Sequence, residues 1–582
     1  MHWIDWLILF ATLIGITAYG MYKTRGTSDM KTYLLGSKDL KWWTIGLSIM
    51  ATQASAITFL STTGQGYEDG MRFAQFYIGL PIAMVILSAF FLPIYYRLNV
   101  MTAYEYLERR FDLRTRTFAS VLFLLQRGMA AGLTIYAPAI VLSVILGWSL
   151  GWVCLFLGVF VIVYTVFGGG EAVSVTQEQQ MIVILSGLIV AFVIMIFKMP
   201  EGVHFTDALH VAGKLGKTNV INFKFDLSDR YNFWSGIFGG TFLFLSYFGT
   251  DQSQVQRYLS GKTLSESRLG LLFNGIIKLP MQFLVLFVGV MMFVFFQFNK
   301  SPIHFNPGNL AAVQTPQYQG QLDALEAKRD VIFEAKKLEI NHLVEASRAN
   351  NEAEITAAKT QVQAYMQQEQ EVRKDVKTLI KTANPKSETK DTDYVFINFV
   401  IHNLPVGVVG LLLAVIFSAA MSSKSSEINA LATTSVVDIY KRQMRPNETD
   451  AHYKLVSQWL TAAWGALSLL FAVSISFLEN LIEAVNIIGS LFYGAILGLF
   501  MVAFFMKRIG AKSVFLAAIV SEILVIIVFT LDRLNIFKFA YLWLNFLGCA
   551  LVMLLAWIFH YTFFKNEVVK PREYGVEEAS EG

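Results

Sequence analysis

Three polar clusters stand inside long apolar stretches of this 582-residue chain. The first is SIMATQASAITFLST, residues 48–62, which places Ser48, Thr52, Gln53, Ser55, Thr58, Ser61 and Thr62 beside Thr63, too many for one helix face, and runs into GQGYEDG without a firm cap. A break near residues 52–55 would free backbone carbonyls. The alternative is an unbroken helix whose small residues let neighbours approach closely. The second is FSAAMSSKSSEINALATTSVVDIYKR, in which Ser422 and Ser423 are adjacent hydroxyls and Ala419 lies about one turn earlier. Such serines can also bond back to the preceding turn and do nothing more. Freed carbonyls from the first cluster and oxygens from the second would make an all-oxygen cage for a hard monovalent cation, and sodium fits such a cage. The third joins SYFGTDQSQVQRYLSG to GIIKLPMQF and carries Asp251 and Lys278. Ionisable residues in apolar segments are functional candidates, although Asp251 could be a helix-end charge and Lys278 could snorkel to an interface.

Composition decides what positions these clusters. The chain is 55% hydrophobic and 15% charged, with mean hydropathy +0.50, which identifies an all-α integral membrane protein. Hydropathy, flanking charge and turn residues predict about 13 transmembrane helices, over 3–22, 42–63, 73–98, 119–146, 152–167, 180–199, 235–253, 269–298, 395–421, 457–477, 481–506, 513–531 and 539–563. Every second loop is basic: Lys23, Arg25, Lys31 and Lys38; Arg97, Arg109, Arg110, Arg114 and Arg116; Arg257, Lys262 and Arg268; Lys441, Arg442 and Arg445; Lys507, Arg508 and Lys512; Lys565, Lys570 and Arg572. One short polar link after the fifth span is the exception. This pattern puts the N-terminus outside and the C-terminus in the cytoplasm, in a plasma (inner) membrane. The net charge of +4 reflects that topology and gives no reason to expect nucleic acid. Cys154 and Cys549 fall in apolar spans and read as buried thiols rather than a disulfide or metal pair. The first span lacks a small-residue cleavage site and reads as a retained helix.

Between the eighth and ninth spans, residues 299–393 form a polar extracytoplasmic insertion. From 317 to 382 it lacks Pro and repeats apolar residues at helical intervals. Leu325, Ile332, Ala335 and Leu338 form one seam, and Ile355, Val362, Tyr365, Val372, Val376 and Leu379 another, with RANNEAE as the turn. The expectation is an antiparallel coiled-coil hairpin projecting from the outer face, either a solvated spacer or an arm for an extracytoplasmic protein partner.

TAYEYLERRF (102–111), YTVFGGGEAV (164–173), DQSQVQRYL (251–259) and MSSKSSEINALATTSVVDIY (421–440) together carry a likeness. From its first span to its last, the hairpin apart, the chain resembles the sodium/solute symporter family, including its bacterial sialic acid, sugar and multivitamin/monocarboxylate branches. The resemblance implies a LeuT-like five-plus-five inverted repeat. The implied units are 1–40, an N-terminal extra helix and loop; 41–232, the first repeat; 233–298 and 394–510, the second repeat, interrupted by the 299–393 insertion; and 511–582, a two-helix extension with a cytoplasmic tail. It places sodium on the carbonyls of Ala51, Ala54 and Ala419 and the hydroxyls of Ser422 and Ser423. It places substrate at Thr58, Tyr77, Asp251, Lys278 and Asn486. Tyr77 and Thr58 stand where a sugar symporter has a carboxylate and an amide, and the sialic acid branch's arginine matches Ala130, with Arg127 about one turn away. A second-sodium aspartate is replaced in Val175-Thr176-Gln177, which implies one coupling ion. Lys424, facing Glu178 or Glu427, would fill the neighbouring space.

The resulting expectation is a sodium-coupled symporter importing a small polar solute, a sugar or sugar derivative, by alternating access within membrane lipid. One charge crossing ~100 mV yields ~2.3 kcal/mol and a tenfold sodium gradient adds ~1.4, so one ion supports several hundredfold accumulation. The alternatives are import of a small carboxylate or vitamin, where Lys278 or Arg127 would pair the anion, and a transport-inactive sensor or scaffold. No nucleophile, metal cluster or phosphate loop supports an enzyme.

Overall fold

Long apolar runs leave the backbone no partner but itself, and the chain answers with helices. The computed structural model describes residues 1–23, 30–35, 39–385, 387–474 and 481–570. Arg25, Lys38 and Arg572, the side chains of Lys23 and Lys31, and residues 475–477 of the tenth expected span lie outside what is described. The helices that frame the site are α1 (Trp3–Lys23), α2 (Trp42–Gln53), α3 (Ala56–Asp69), α4 (Leu113–Leu146), α5 (Leu150–Phe197), α6 (Thr241–Gly249), α7 (Gln252–Leu259), α8 (Leu264–Phe298), α9 (Gln319–Arg348), α10 (Glu352–Ala383), α11 (Val408–Thr434), α12 (Asp450–Ser474), α13 (Leu481–Phe505), α14 (Ala511–Arg533) and α15 (Leu542–Thr562). Among the described residues, nine helices are long and apolar enough to cross a membrane and three shorter apolar ones accompany them. The expected span at 42–63 is not a single stretch: it is divided into the 12 residues of α2, which is in neither set, and the 14 of α3, which runs on with the third expected span as Ala56–Leu98.

That division is the break between the first cluster's hydroxyls. Ala54 (φ −78°, ψ 78°) and Ser55 (φ −83°, ψ 173°) leave the helical region. The Ser55 amide donates to Gln53 O at 3.0 Å, so the Ala51 carbonyl loses its i+4 donor. A second break, which sequence reading did not anticipate, separates α6 from α7 at Thr250 and Asp251. α8 packs along both α2 and α3. Its contact with α3 is backbone to backbone: a Cβ on Gly289 would lie 2.1 Å from Thr63 O, and one on Gly66 would lie 2.3 Å from Leu286 O, an approach only glycine permits.

The fifth and sixth expected spans belong to one helical element, α5, and its length conceals a fold. The hydroxyls of Tyr164 and Thr176 are 2.6 Å apart, whereas twelve residues of straight helix would separate them by about 18 Å. The axis therefore turns back between Tyr164 and Thr176, and the two arms, Leu150–Val166 and Thr176–Phe197, remain separate apolar segments. The ninth expected span, 395–421, needs correction. A helix over Val395–Asn403 ends before Pro405, and α11 runs from Val408 to Thr434 and onward as a π-helix, Ser435–Met444. Pro405 removes a helical donor and Gly407 takes φ +89°. Asp5 of α1 completes the junction by accepting from the amides of Gly407 (2.7 Å) and Gly410 (3.1 Å). Ser422 and Ser423 consequently sit mid-helix rather than at a helix end.

Two family signatures meet in one polar network. Arg116 bridges Asp438 at 2.6 Å and Glu108 at 2.8 Å, Thr102 donates to Asp438 at 2.7 Å, and Arg442 pairs with Glu108 at 2.6 Å. Arg110 donates to the carbonyls of Met506, Lys507 and Ile509 at the end of α13. TAYEYLERRF is thus a structural clamp holding the loop ends of α11 and α13.

The hairpin is present as α9 and α10, with its turn at 349–351, but it does not project freely. Arg348 binds both oxygens of Asp207, at 3.0 and 2.6 Å, which holds that carboxyl below its ordinary pKa. Arg329 donates to Ser301 O at 2.9 Å, and Arg373 donates to Ser301 Oγ at 2.7 Å and Pro302 O at 2.9 Å. Ile340, Val344 and Val362 join the main core. The α9 seam also differs from expectation: Leu338 is 65% exposed, while Leu322, Arg329, Ile332, Lys336, Ile340 and Leu343 are buried. Two long cations occupy seam positions, so apolar residues alone misplace the register. Ile340→Lys should loosen the hairpin by about 3 kcal/mol, whereas Leu338→Lys should change it by less than about 0.5. Hydrogen exchange across 319–383 checks both.

Candidate functional site

The α2–α3 break faces the middle of α11. Ser422 Oγ donates to the Ala51 carbonyl at 3.0 Å, and Ser423 Oγ donates to Ala419 O at 3.0 Å. Ala51, Ala54, Ala419, Ser422 and Ser423 are all buried. The break thus brings Ala51 to Ser422, and the helical turn brings Ala419 to Ser423. All these candidate groups offer oxygens, a donor set suited to a hard cation and free of the soft sulfur and nitrogen that would select a transition metal. Ser423 also lines the central cavity, so the candidate ion position adjoins that cavity.

Gln177 occupies the adjoining polar space. Its Nε2 lies 3.0 Å from Thr52 Oγ1, 2.6 Å from Ser426 Oγ and 3.3 Å from Ser422 O, while its Oε1 accepts from Ser48 Oγ. A neutral amide nitrogen therefore stands among three oxygens from α2 and α11. Lys424 donates to Ala131 O on α4, with Glu427 one turn along the same helix. It does not face Glu178, which accepts from Thr44 instead.

A cavity of about 80 Å³ lies between α2, α3, α4, α8 and α13, and Thr58, Tyr77, Lys278 and Asn486 line it. Asp251, the remaining substrate candidate, does not. Its Oδ1 caps α7 through the Ser253 amide at 2.9 Å, and its Oδ2 takes Arg127 Nε at 3.0 Å, with a second contact from the same guanidinium. Arg127 also reaches Glu427 at 3.2 Å and the Tyr493 hydroxyl at 2.8 Å, and its guanidinium lies 5.2 Å from the Tyr247 ring. With two carboxylates on it, Arg127 has no charge to spare.

The charges near the cavity can now be balanced. Arg127 pairs with both Asp251 and Glu427; Lys424 has Glu427 one turn away on its own helix but, like Lys278, 1% exposed, makes no ion pair among the described residues. Two further handles accompany Lys278, for Gln53 Oε1 and Asn486 Nδ2 are buried without a hydrogen-bond partner and both residues line the cavity. Sequence reading overlooked Gln53 as a site residue, although it belongs to the first cluster. It also overlooked Tyr493, which has no sequence neighbour to mark it. A buried unpaired cation beside an unsatisfied donor and acceptor suits a small anionic solute with a polar group at its far end.

Comparison with known proteins follows this geometry. The model of the sodium:solute symporter family matches residues 33–320 and 378–521. The sodium-coupled monocarboxylate transporter 2 of Bos taurus is 31% identical over 270 residues, 46% of this chain and 43% of that protein. The sodium/sialic acid symporter NanT of Aliivibrio fischeri is 26% identical over 542 residues, 92% of this chain and 89% of that one. The sodium/iodide cotransporter of Homo sapiens is 31% identical over 292 residues, covering 50% and 44%. The chain thus spans less than half the length of two of these three relatives. A solved Na⁺-coupled sialic acid symporter, in a substrate-bound outward-open state, superposes with a TM-score of 0.73 at 22% identity, over 96% of this chain and 98% of that one. The likeness extends the LeuT-like fold to this chain.

Proposed function

Since the chain belongs to the sodium:solute symporter family, whose members are transporters and not enzymes, we propose that it imports a small organic acid, sugar-derived acids included, together with one sodium ion. The observation that carries this reading is Lys278, the cation left without a carboxylate in a cavity that also offers Gln53 and Asn486. Burying an ammonium without a partner is costly, and an anionic solute removes that cost when it binds. The cargo named for the monocarboxylate, iodide and sialic acid relatives is anionic in every case. In this conformation the cavity is small, about 80 Å³, and favours a compact acid over a larger one.

Sodium would bind Ala51, Ala54, Ala419, Ser422 and Ser423. Those groups come from both repeats, 41–232 and 233–298 with 394–510, so an ion there holds the two together, and a solute beside Ser423 favours the same closed state. Gln177 supplies no negative charge for a second ion, which supports one sodium per cycle. The basic loops support an N-terminus outside, a cytoplasmic C-terminus and the hairpin on the outer face of a plasma (inner) membrane.

Charge counting gives the test. One sodium with a monoanion moves no net charge, so the membrane potential contributes nothing and a tenfold sodium gradient supplies only ~1.4 kcal/mol, about tenfold accumulation. One sodium with a neutral sugar moves one charge and gains ~2.3 kcal/mol per 100 mV. Proteoliposomes containing the protein should take up labelled pyruvate or N-acetylneuraminate with sodium, at a rate that a valinomycin-imposed potential alters less than about twofold. Sodium-driven glucose uptake accelerated by interior-negative potential would refute the acid. Electrogenic acid uptake would refute the single ion.

A further inference from the structure

The docked hairpin encloses a second cavity, about 480 Å³, between α10 and the hairpin-side ends of α3 and α8. We propose that this cavity is an additional binding site, for a small organic anion with an apolar or aromatic body.

Its wall is basic. Lys217, Lys336, Arg373, Lys374 and Lys377 line it against three carboxylates, Glu68, Glu369 and Asp391. Lys336 is held by Glu369 and Lys377 lies 3.7 Å from Asp391. Arg373 lies 3.9 Å from Glu369, which it shares with Lys336, and hydrogen-bonds the neutral oxygens of Ser301 and Pro302, while Lys217 donates to the carbonyls of Tyr67 and Glu68, so five cations face three carboxylates. Positive potential is therefore left over in a concave, partly desolvated space, where it attracts anions.

Its floor is aromatic. Tyr67 packs edge-on against Phe293, Phe296 and Phe305, at centroid distances of 6.1, 6.1 and 5.8 Å. Arg373 lies 5.2 Å from the Phe305 ring and Lys217 4.4 Å from the Phe293 ring. A carboxylate over the cations and a flat apolar body over the rings would satisfy both surfaces.

Two polar atoms await a partner. Gln297 Oε1 and Thr392 Oγ1 are buried without a hydrogen bond, their residues are 3% and 8% exposed, and both line this cavity. Thr392 offers a hydroxyl to a carboxylate, and Gln297 accepts from a ligand hydroxyl. The family model matches residues 33–320 and 378–521, so Lys336, Glu369, Arg373 and Lys374 of the basic wall lie outside the matched ranges.

The test measures equilibrium binding of labelled benzoate to the full chain in nanodiscs. Lys374→Glu, on the exposed face of α10, should weaken binding by roughly tenfold, and Thr392→Val, nearly isosteric, by about fivefold. Lys278→Met, which removes the cation of the central cavity, should leave benzoate binding within about twofold of wild type. Absence of benzoate binding at millimolar concentration, wild-type affinity in both hairpin-cavity variants, or loss of binding in Lys278→Met would each overturn the proposal. The last result assigns the anion to the central cavity, so the two sites fail separately. Hydrogen exchange in 319–383 verifies that each variant keeps its hairpin.

Discussion

Lys278→Met is expected to raise the KM for the transported acid by about a hundredfold or more, with the protein as stable as wild type or more so. The two side chains have similar length and volume, so packing is conserved. Removing a charge that lacks a carboxylate in the resting cavity relieves desolvation rather than breaking a pair. Binding loses an uncommitted countercharge, and truncating one member of a buried charge pair costs about 3 kcal/mol, which is roughly a hundredfold in affinity. Sodium-dependent thermal stabilisation should survive, because the oxygens proposed for the ion lie on α2, the α2–α3 break and α11. Unchanged KM for the acid, with a sugar competing normally, would remove Lys278 from substrate recognition. Arg127→Met serves as the contrast: it strands Asp251 and Glu427 together, so its first effect is loss of folded protein.

Ser423→Ala should raise the sodium concentration for half-maximal uptake by roughly thirtyfold, and Ser422→Ala with Ser423→Ala by more than about a hundredfold. Each hydroxyl offered to a desolvated cation contributes on the order of 2 kcal/mol, and adjacent ligands do not add simply. Ser423 is the cleaner probe, since among the described residues its hydroxyl bonds only to Ala419 and Ala420 in the preceding turn. Ser422→Ala also leaves the Ala51 carbonyl unpaired and carries a folding cost of its own. Sodium titration of the melting temperature separates the two effects. Equal sodium dependence in wild type and Ser423→Ala would move the ion elsewhere.

The first cluster was legible because polar residues all round an apolar helix conflict with both lipid and packing. That conflict has few resolutions, and an interrupted helix is one of them. The second break was not legible, since Thr250 and Asp251 follow an ordinary glycine and Asp251 reads equally well as substrate ligand or cap; in the structure it caps α7 and takes Arg127. The end of the ninth span carried a clear local signal in Pro405 and Gly407 that hydropathy averaging obscured. On α9, heptad counting missed Arg329 and Lys336 because charged residues enter a seam only when partners such as Ser301 O and Glu369 meet them there.

The sequence by itself determined the membrane class, the helical repertoire, the hairpin's existence and the polar oxygens of α2 and α11. Each of these follows from local hydrophobicity, periodicity or residue type within one or two turns. Only tertiary structure decided which of Arg127, Asp251, Lys278, Lys424 and Glu427 would be mutually neutralised and which left over. Charge pairing depends on distances of a few ångströms between residues as far as 300 positions apart. Local pattern cannot encode such distances, and the unpaired Lys278 ammonium on which the proposed acid preference rests appears only once the helices are packed.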